Sequence, residues 1–548
     1  MNTIATPPSN QAPPSDGELR SQPARPEHPG HSSRSRLKFI FSFLAMLAVG
    51  LGCVVFVLCR GSIADPDIWW HLNNARYLFT QHHLPNADYL SFTVPGHAWI
   101  NHEWLSEIPF YLGYQVSGLT GVFVVEFIVI ALIFVGVLTL TYREFRNFKS
   151  AVLATALSCL LASVSFGPRT ILFGYLLMVA MLLVLQRFRQ KGSGPLWILP
   201  PLFALWINTH GSWSLGLVLF GLIAACGFVS GSWGQVDAAA WTPSQKKALI
   251  FTGLASIAAL FANPYGYRLV LYPFDLAFRQ KLNVAHVAEW VPVNFHDNRG
   301  KLVLFLLALL FARAVFQGAR WTLTEVALLA FSLYSGLTYI RFLVLVAIVV
   351  APIIAKTLDF MPPYQPEIDK PILNAVLIGL MIFGVIHYWP RNAELTSIVD
   401  GQYPSGAVAY MRQNPAPAPL LNFYTWGGYL PWNDPDIKVF IDSRVDIFEY
   451  EGVLQDYLDL LDLKHPNVIL DKYKIQSVLF PPSEPLAYVL SHDPGWRETY
   501  RDNISVLFER VDSNSLHSAL APGSNLPQNS TWTGATAAIR AQSPNVRE

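Results

Sequence analysis

The sequence predicts an all-α polytopic membrane bundle of about eleven transmembrane helices, followed by a C-terminal extracytoplasmic α/β domain. Two observations lead to this fold class. Of the 548 residues, 52% are hydrophobic and only 14% are charged, against roughly 25% charged residues in an ordinary soluble protein. Apolar runs long enough to form membrane helices also recur along the chain. They lie near residues 37–59, 121–141, 150–166, 170–186, 196–209, 213–231, 248–262, 302–318, 322–339, 342–357 and 371–388.

Charge and cysteine usage exclude several classes of protein. The 38 basic and 37 acidic residues leave a net charge of +1, so no overall field attracts nucleic acid. The four cysteines lie in or beside apolar runs and lack metal-ligand spacing. They are Cys53, Cys59, Cys159 and Cys226. This pattern indicates packing residues rather than a disulfide framework or a zinc site.

Composition divides the chain into four parts. Residues 1–36 are rich in proline and serine and predict a disordered cytoplasmic tail. Residues 37–390 form the predicted transmembrane domain, with an outward loop at 60–120. Residues 391–514 predict the α/β domain, and the polar segment 515–548 predicts a second disordered tail.

Within the C-terminal domain, short runs of β-branched and aromatic residues predict strands, and helical spacing predicts helices. The predicted strands are 420–424, 438–442, 476–480, 496–500 and 505–509. The predicted helices are 405–413, 453–464, 466–474 and 486–492.

Basic residues determine the predicted orientation, because cytoplasmic loops of membrane proteins are enriched in lysine and arginine. Arg34, Arg36 and Lys38 precede the first apolar run. The loops that alternation then assigns to the inside are also basic; they contain Arg143, Arg146, Lys149, Arg187, Arg189, Lys191, Lys246, Lys247, Lys356 and Lys370. The outward loop 263–301 is basic too, but long loops cross a membrane with less regard to charge. We therefore predict a multi-pass protein of a bacterial inner membrane with a cytoplasmic N-terminus.

The densest polar signal follows the first apolar run. There the sequence Asp65-Pro66-Asp67-Ile68-Trp69-Trp70-His71-Leu72 combines two carboxylates, an imidazole and two tryptophans. A carboxylate at a membrane surface can accept a proton from an attacking hydroxyl, and two carboxylates can hold a divalent cation such as Mg²⁺ or Mn²⁺. The alternative is structural: Asp67 caps a helix and the tryptophans form an interfacial belt.

Further polar residues are predicted at the outer face. Asn208 and His210 lie where two apolar runs meet, and a tight helical hairpin is the alternative explanation for them. Arg341 follows another run; it can pair with a phosphate or extend to the lipid head groups. In the C-terminal domain, Asp442, Arg444 and Asp446 follow a predicted strand, where they form either a ligand site or an ion pair.

The first outward loop also carries a resemblance to a known family. Besides Asp65–Leu72 it contains Pro85-Asn86-Ala87-Asp88-Tyr89-Leu90-Ser91 and Asn101-His102-Glu103-Trp104-Leu105. Together these motifs resemble the GT-C superfamily of polytopic membrane glycosyltransferases, near its bacterial protein-mannosyltransferase and lipid-A aminoarabinose-transferase families. The family often has an Asp-Glu pair, whereas Ile68 follows Asp67 here, so the pair is replaced by Asp-Pro-Asp.

This resemblance implies an inverting glycosyltransferase that moves a sugar from a polyprenyl-phosphate donor to a lipid, glycan or protein acceptor. It implies an essential acidic residue in the first loop, with Asp67 the first choice and Asp65 the second. The predicted substrate-binding residues are His71, His102, Glu103, Asn208, His210 and Arg341. Two alternatives remain open: a transporter or envelope-assembly scaffold without enzymatic activity, and a polysaccharide polymerase or ligase that uses other loops.

Overall fold

The structure is a computed structural model that describes residues 40–60, 63, 65–286, 290–316, 318, 320–358 and 360–511. Both predicted tails, 1–36 and 515–548, lie outside the described residues.

Each of the eleven predicted apolar runs contains a helix. These helices are Phe43–Cys59, Leu119–Glu144, Phe148–Ala162, Ile171–Lys191, Leu199–Ile207, Trp213–Cys226, Pro243–Ala259, Asn298–Phe316, Leu323–Thr338, Leu343–Thr357 and Pro371–His387. Four further helices belong to the first loop (60–120) and to the second long loop (263–301). They are Asp67–Gln81, Trp104–Ser117, Tyr267–Arg279 and Lys281–His286. The chain is therefore a mostly helical, multi-pass membrane protein.

The predicted number of eleven spans is not confirmed. Among the described residues, four helical segments are long and apolar enough to cross a membrane: Leu119–Glu144, Phe148–Ser165, Ile171–Lys191 and Ile340–Thr357. A fifth span results if the pair Pro371–His387 and Asn392–Asp400, bent by 57°, counts as one. Four shorter apolar helices have 10–17 residues, fewer than the roughly 20 that a straight crossing requires; they are Phe43–Cys59, Leu196–Ile207, Trp213–Cys226 and Leu323–Thr338.

The loops that connect the helices lie at two opposite ends of the bundle. At one end the first loop contacts two helix corners, because Asp65 pairs with Arg169 and the Ser106 hydroxyl donates to the Thr209 carbonyl at 2.8 Å. We call this end the loop face; it comprises residues 65–118, 167–170, 208–212, 263–286 and 340–342. The alternation of sides from one predicted span to the next assigns all of these residues to the same side of the membrane. The contacts between them agree with that assignment.

Charged residues cluster at the opposite end of the bundle. Glu144 pairs with Arg189 at 2.6 Å and with Lys356 at 3.4 Å, and Lys356 also pairs with Glu325. A small sheet of the order β1-β2-β3 lies beyond them, made of β1 (Gly231–Trp233), β2 (Val236–Ala238) and β3 (Trp321–Thr322). These residues come from loops that the sequence assigns to the other side.

The C-terminal domain has a four-stranded sheet of the order β4-β5-β7-β6. Its strands are β4 (Leu420–Asn422), β5 (Ser477–Phe480), β6 (Trp496–Arg501) and β7 (Val506–Arg510). β4 pairs with β5 in parallel, and the other two pairs are antiparallel. The helices around the sheet are Asn392–Asp400, Ser405–Gln413, Tyr429–Asn433, Val445–Tyr450, Val453–Leu461, Pro466–Lys472 and Pro485–His492. Four predicted strands and all four predicted helices of this domain are thus confirmed.

The fifth predicted strand, 438–442, is wrong. Val439 bonds instead to the first loop: its N–H donates to the Leu90 carbonyl at 3.1 Å, and its carbonyl accepts from the Phe92 N–H at 3.0 Å. The next residues bond to a side chain, since the Asn422 amide accepts from the Phe440 N–H at 2.7 Å and donates to the Ile441 carbonyl at 2.9 Å. A loop segment and one asparagine therefore replace a neighbouring strand.

The first loop and the C-terminal domain share one apolar core. Trp70, Leu90, Val94 and Trp99 of the loop pack in the same buried cluster as Phe440 and the sheet residues. Apolar packing therefore joins the first loop to the C-terminal domain, and the predicted boundary at residue 391 stays a prediction.

A buried ion pair connects these two parts. Arg444 donates to Asp88 of the first loop and to Asp442, both at 2.6 Å, and its guanidinium lies 4.9 Å from the centre of the Trp99 ring. The arginine side chain is 1% exposed and both carboxylates are fully buried. Burial lowers the pKa of Arg444, but the two carboxylates outweigh burial and raise it. Of the two explanations for Asp442 and Arg444, the ion pair is confirmed.

We expect Arg444→Ala to destabilise the folded chain strongly, because it leaves two buried carboxylates without their cation. Breaking such a pair costs about 3–5 kcal/mol, which thermal unfolding of the purified chain in detergent measures as a lower midpoint. Arg501→Ala is the matched control, since Arg501 pairs with Glu498 on the surface and an exposed pair is worth about 0–1 kcal/mol. Equal midpoints for the two variants would contradict the role assigned to Arg444.

Candidate active site

A cavity of about 550 Å³ lies between the loop face and the C-terminal domain. Residues from five separate parts of the chain line it. These parts are the first loop, the connection between helices at Arg169, the connection between helices at Arg341, the second long loop and the C-terminal domain. Asp67, His102 and Glu103 are among the lining residues of the first loop. The cavity therefore brings together four of the eight predicted site residues, Asp67, His102, Glu103 and Arg341, whereas Asp65, His71, Asn208 and His210 do not line it.

The helix Asp67–Gln81 presents Asp67 at its first turn. Pro66 occupies the N-cap position without a side-chain bond, and the Asp65 carboxylate accepts the Asp67 N–H at 3.0 Å. Asp65 therefore satisfies this free backbone group, and the alternative in which Asp67 is the cap is wrong. The belt alternative is also wrong, because Trp69 and Trp70 are only 3% and 6% exposed.

Asp67 lies in the cavity wall, where its carboxylate accepts a hydrogen bond from the Trp70 indole at 3.3 Å. Burial and the neighbouring charge of Asp65 raise its pKa to about 6, against the lowering effects of Arg169, His71 and Ser443. A carboxylate with this pKa is mostly ionised at neutral pH and still binds a proton readily. That is the property required of a general base.

Asp65 is engaged differently from Asp67. One of its oxygens bonds to Arg169 and the other accepts the Asp67 N–H. Asp65 therefore holds Arg169 in the cavity wall. Sequence reasoning missed Arg169, although a single arginine between the apolar runs 150–166 and 170–186 was an available signal.

Three imidazoles surround the carboxylate of Glu103. His210 Nε2 lies 3.3 Å and His102 Nε2 lies 3.4 Å from one oxygen, and His71 Nε2 lies 3.7 Å from the other. Burial raises the pKa of Glu103, but the histidines outweigh burial and hold it well below its usual range. Glu103 is therefore an anion that orients the rings around it.

The pKa values of the histidines in this cluster shift in different directions. His210 Nδ1 accepts the Ser212 N–H at 2.9 Å, so the proton of the neutral ring lies on Nε2, facing Glu103; burial lowers the pKa of His210 to about 3. Burial also acts on His71 and His102, but their carboxylate neighbours outweigh it and raise both pKa values. His71 Nδ1 lies 3.0 Å from Glu107, a buried acid that sequence reasoning did not identify.

Asn208 does not reach the cavity. Its amide donates to the carbonyls of Ala204 and Ala262 at 2.8 and 2.9 Å and accepts from the Trp104 indole at 3.0 Å. The hairpin explanation is confirmed for this residue, because its side chain satisfies backbone groups at a helix end.

Arg341 lies in the cavity wall, in the turn that precedes the helix Leu343–Thr357. Its guanidinium is 4.4 Å from the centre of the Trp290 ring, an arrangement that holds a cation in place. Its position in the wall does not agree with the alternative in which it extends to lipid head groups.

The far side of the cavity belongs to the second loop and the C-terminal domain. The Tyr272 hydroxyl donates to Asp446 at 3.1 Å, and the Tyr272 ring lies 4.4 Å from the His102 ring. Burial raises the pKa of Asp446. Asp446 was noted in the sequence, whereas Tyr272 was missed because nothing in its surroundings distinguishes it from other loop tyrosines.

Asp65 and Asp67 were also the predicted ligands of Mg²⁺ or Mn²⁺. Among the described residues, no three histidine, cysteine or acidic side chains converge in a geometry that holds a metal ion. Asp65 is already bonded to Arg169. A divalent cation held by Asp65 and Asp67 therefore stays a prediction.

No protein-family model matches the sequence, and no curated protein matches it significantly. Solved structures with a similar fold are known. The oligosaccharyltransferase AglB of Archaeoglobus fulgidus, in complex with an inhibitory peptide and a dolichol-phosphate, aligns with a TM-score of 0.52 and 11% identity over 89% of this chain and 75% of that chain. An oligosaccharyltransferase of the same organism with a tethered acceptor peptide has a TM-score of 0.50 and 12% identity, over 86% and 74% of the two chains.

A third similar structure is ArnT from Cupriavidus metallidurans bound to undecaprenyl phosphate, with a TM-score of 0.48 and 14% identity over 86% of this chain and 98% of that chain. At such identities the likeness concerns the fold and not the reaction. The chain therefore shares its fold with these two oligosaccharyltransferase structures, and the resemblance predicted from the first loop is confirmed at the level of the fold.

Proposed function

We propose that this chain is a glycosyltransferase that moves a sugar from a polyprenyl-phosphate donor to an acceptor on the outer side of a bacterial inner membrane. One observation carries the proposal: Asp67, a carboxylate with a pKa of about 6, shares a cavity with Arg169 and Arg341. A base and two cations are the groups that transfer from a sugar phosphate requires.

In the proposed reaction, Asp67 takes the proton from the acceptor nucleophile as that nucleophile attacks the anomeric carbon. The bond between this carbon and the phosphate oxygen breaks, and polyprenyl phosphate leaves with the electron pair. The attack comes from the face opposite the leaving group and inverts the anomeric configuration. The proton remains on Asp67 until product release.

Arg169 and Arg341 stabilise the departing phosphate in this proposal. Arginine suits the task because its planar guanidinium donates several hydrogen bonds to phosphate oxygens. Asp65 orients Arg169 and is not the base. The AglB complex contains a dolichol-phosphate, which supports a lipid-linked phosphate as the donor here.

The proposal also includes the orientation predicted from the sequence, with the N-terminus in the cytoplasm and the loop face and C-terminal domain outside. The acceptor is then a lipid, glycan or protein on that side. A polymerase or ligase built on other loops would not depend on Asp67.

We expect Asp67→Asn to lower sugar transfer by about 10²-fold or more, because asparagine keeps the size of the side chain but cannot accept the proton. Mass spectrometry of envelope glycans measures the product in cells that carry the variant in place of the natural chain. Asp436→Asn is the matched control, since Asp436 is an exposed carboxylate of the C-terminal domain. Full transfer by Asp67→Asn, at normal membrane abundance, would remove Asp67 from the mechanism.

The pH dependence of transfer gives an independent check. The base acts only when ionised, so kcat/KM should fall about tenfold per pH unit below pH 6 and level off above it. Arg169 lowers the pKa of Asp67 and Asp65 raises it. Arg169→Gln should therefore move the acidic limb to higher pH, and Asp65→Asn should move it to lower pH. Purified enzyme with lipid-linked sugars extracted from native membranes provides the assay, and a limb that stays unmoved in both variants would contradict the assignment.

Reporter fusions check the orientation. Fusions after Phe148, Lys191 and Lys246 should read cytoplasmic, and fusions after Ala87, Asn283 and Asp434 should read extracytoplasmic, because basic loops stay inside. Alkaline phosphatase and green fluorescent protein report the two sides. An extracytoplasmic Lys191 together with a cytoplasmic Ala87 would reverse the topology.

A further inference from the structure

One wall of the cavity is apolar and comes from four different elements. We call it the leucine wall; it consists of Leu276, Leu282, Val445, Leu454, Leu458 and Leu461. Three of these side chains belong to the helix Val453–Leu461 at spacings of four and three residues, so they share one face of that helix. Leu458 and Leu461 are half-buried, with one side packed on the domain core and the other facing the cavity.

The leucine wall continues directly from the proposed active site. Leu276 lies one helical turn after Tyr272, which contacts both His102 and Asp446. Val445 is the chain neighbour of Asp446. The wall therefore starts beside the polar end of the cavity and leads away from it along the helix Val453–Leu461.

Polarity divides the cavity into two ends. The acidic and basic side chains that line it come from the first loop, the bundle and the segment 444–446 of the C-terminal domain; they are Asp67, Glu103, Arg169, Arg341, Arg444 and Asp446. No acidic or basic side chain of the described helix Val453–Leu461 lines the cavity; Asp456, for example, bonds to Tyr473 instead. A ligand that fills both ends must have a polar head and an apolar part.

The leucine wall is held in place before any ligand binds. The N–H groups of Leu282 and Asn283 donate to Glu449 at 2.9 Å each. The Tyr457 hydroxyl accepts the Tyr424 N–H at 2.9 Å. The first two bonds fix the second loop against the domain and the third holds the Tyr457 side chain, so the apolar surface needs no rearrangement to receive a ligand.

We infer that the leucine wall binds an alkyl group of the acceptor, which makes the acceptor an amphiphile rather than a fully polar glycan. The inference rests on the proposed function and deepens it. The wall belongs to the C-terminal domain and the second loop, outside the apolar helices, whereas the polyprenyl chain of the donor has the membrane interior available to it. The acceptor nucleophile then lies at Asp67 and its alkyl group lies on the leucine wall.

The test uses the full chain in lipid nanodiscs and two photoreactive probes. One is decyl glucoside with a diazirine in its alkyl chain, and the other is polyprenyl phosphate with a diazirine near the phosphate. Peptide mass spectrometry locates the label. We expect the alkyl probe to label 453–461 and 276–282, and excess decyl glucoside, but not glucose, to prevent this labelling.

Leu458→Asn combined with Leu461→Asn should reduce labelling by the alkyl probe about tenfold, because a changed contact in an apolar pocket is worth roughly that factor. Val468→Asn is the matched control, since Val468 is exposed on the neighbouring helix. Thermal unfolding checks that the double variant is folded. The competition between decyl glucoside and glucose on the unmodified chain remains decisive if that variant does not fold.

Three results would overturn the inference: no alkyl label on the wall, equal labelling of the double variant, or labelling of the wall by the polyprenyl phosphate probe. Failure of the proposed function would give a different labelling pattern. In that case the polyprenyl phosphate probe labels neither the segment of Arg169 nor that of Arg341, whatever the alkyl probe does.

Discussion

The buried ion pair of Arg444 with Asp88 and Asp442 is the interaction on which the rest of the site depends. A charge buried without a partner is very costly, so the first loop and the C-terminal domain can adopt only the arrangement that brings the three groups together. The shared apolar core of Trp70 and Trp99 with the domain has the same effect. Loop and domain therefore enclose the cavity as one body, and neither forms it alone.

Enclosure then determines the chemistry of the carboxylates. Asp65 and Asp67 are separated by one proline, yet one is bonded to an arginine and the other faces the cavity with a raised pKa. The difference comes from the neighbours and not from the residue type, because burial disfavours the charged form unless a cation or a hydrogen bond compensates it. The different surroundings of these two carboxylates suit the separate roles proposed for them, one to orient a cation and the other to exchange a proton.

The Glu103 cluster extends the same principle. One anion surrounded by three imidazoles gives each ring a defined position, and the Ser212 N–H selects the tautomer of His210. His102 connects this cluster through Tyr272 to Asp446 of the C-terminal domain. Polar groups buried in such a network are oriented before substrate arrives, which is the condition for electrostatic stabilisation in a site shielded from water.

The sequence by itself determined that the chain forms an apolar helical bundle with a helix in each of the eleven apolar runs. It also determined most elements of the C-terminal domain and the concentration of polar motifs in the first loop. These properties depend on local periodicity and on short motifs, which tertiary contacts seldom reverse. Only the tertiary structure decided that Asn208 is a hairpin residue, that Val439 bonds to the first loop instead of belonging to a strand, and that Arg169 and Tyr272 line the same cavity as Asp67. The last two arrangements join residues that are about a hundred or more positions apart, and a linear sequence contains the residue types but not the distances between them.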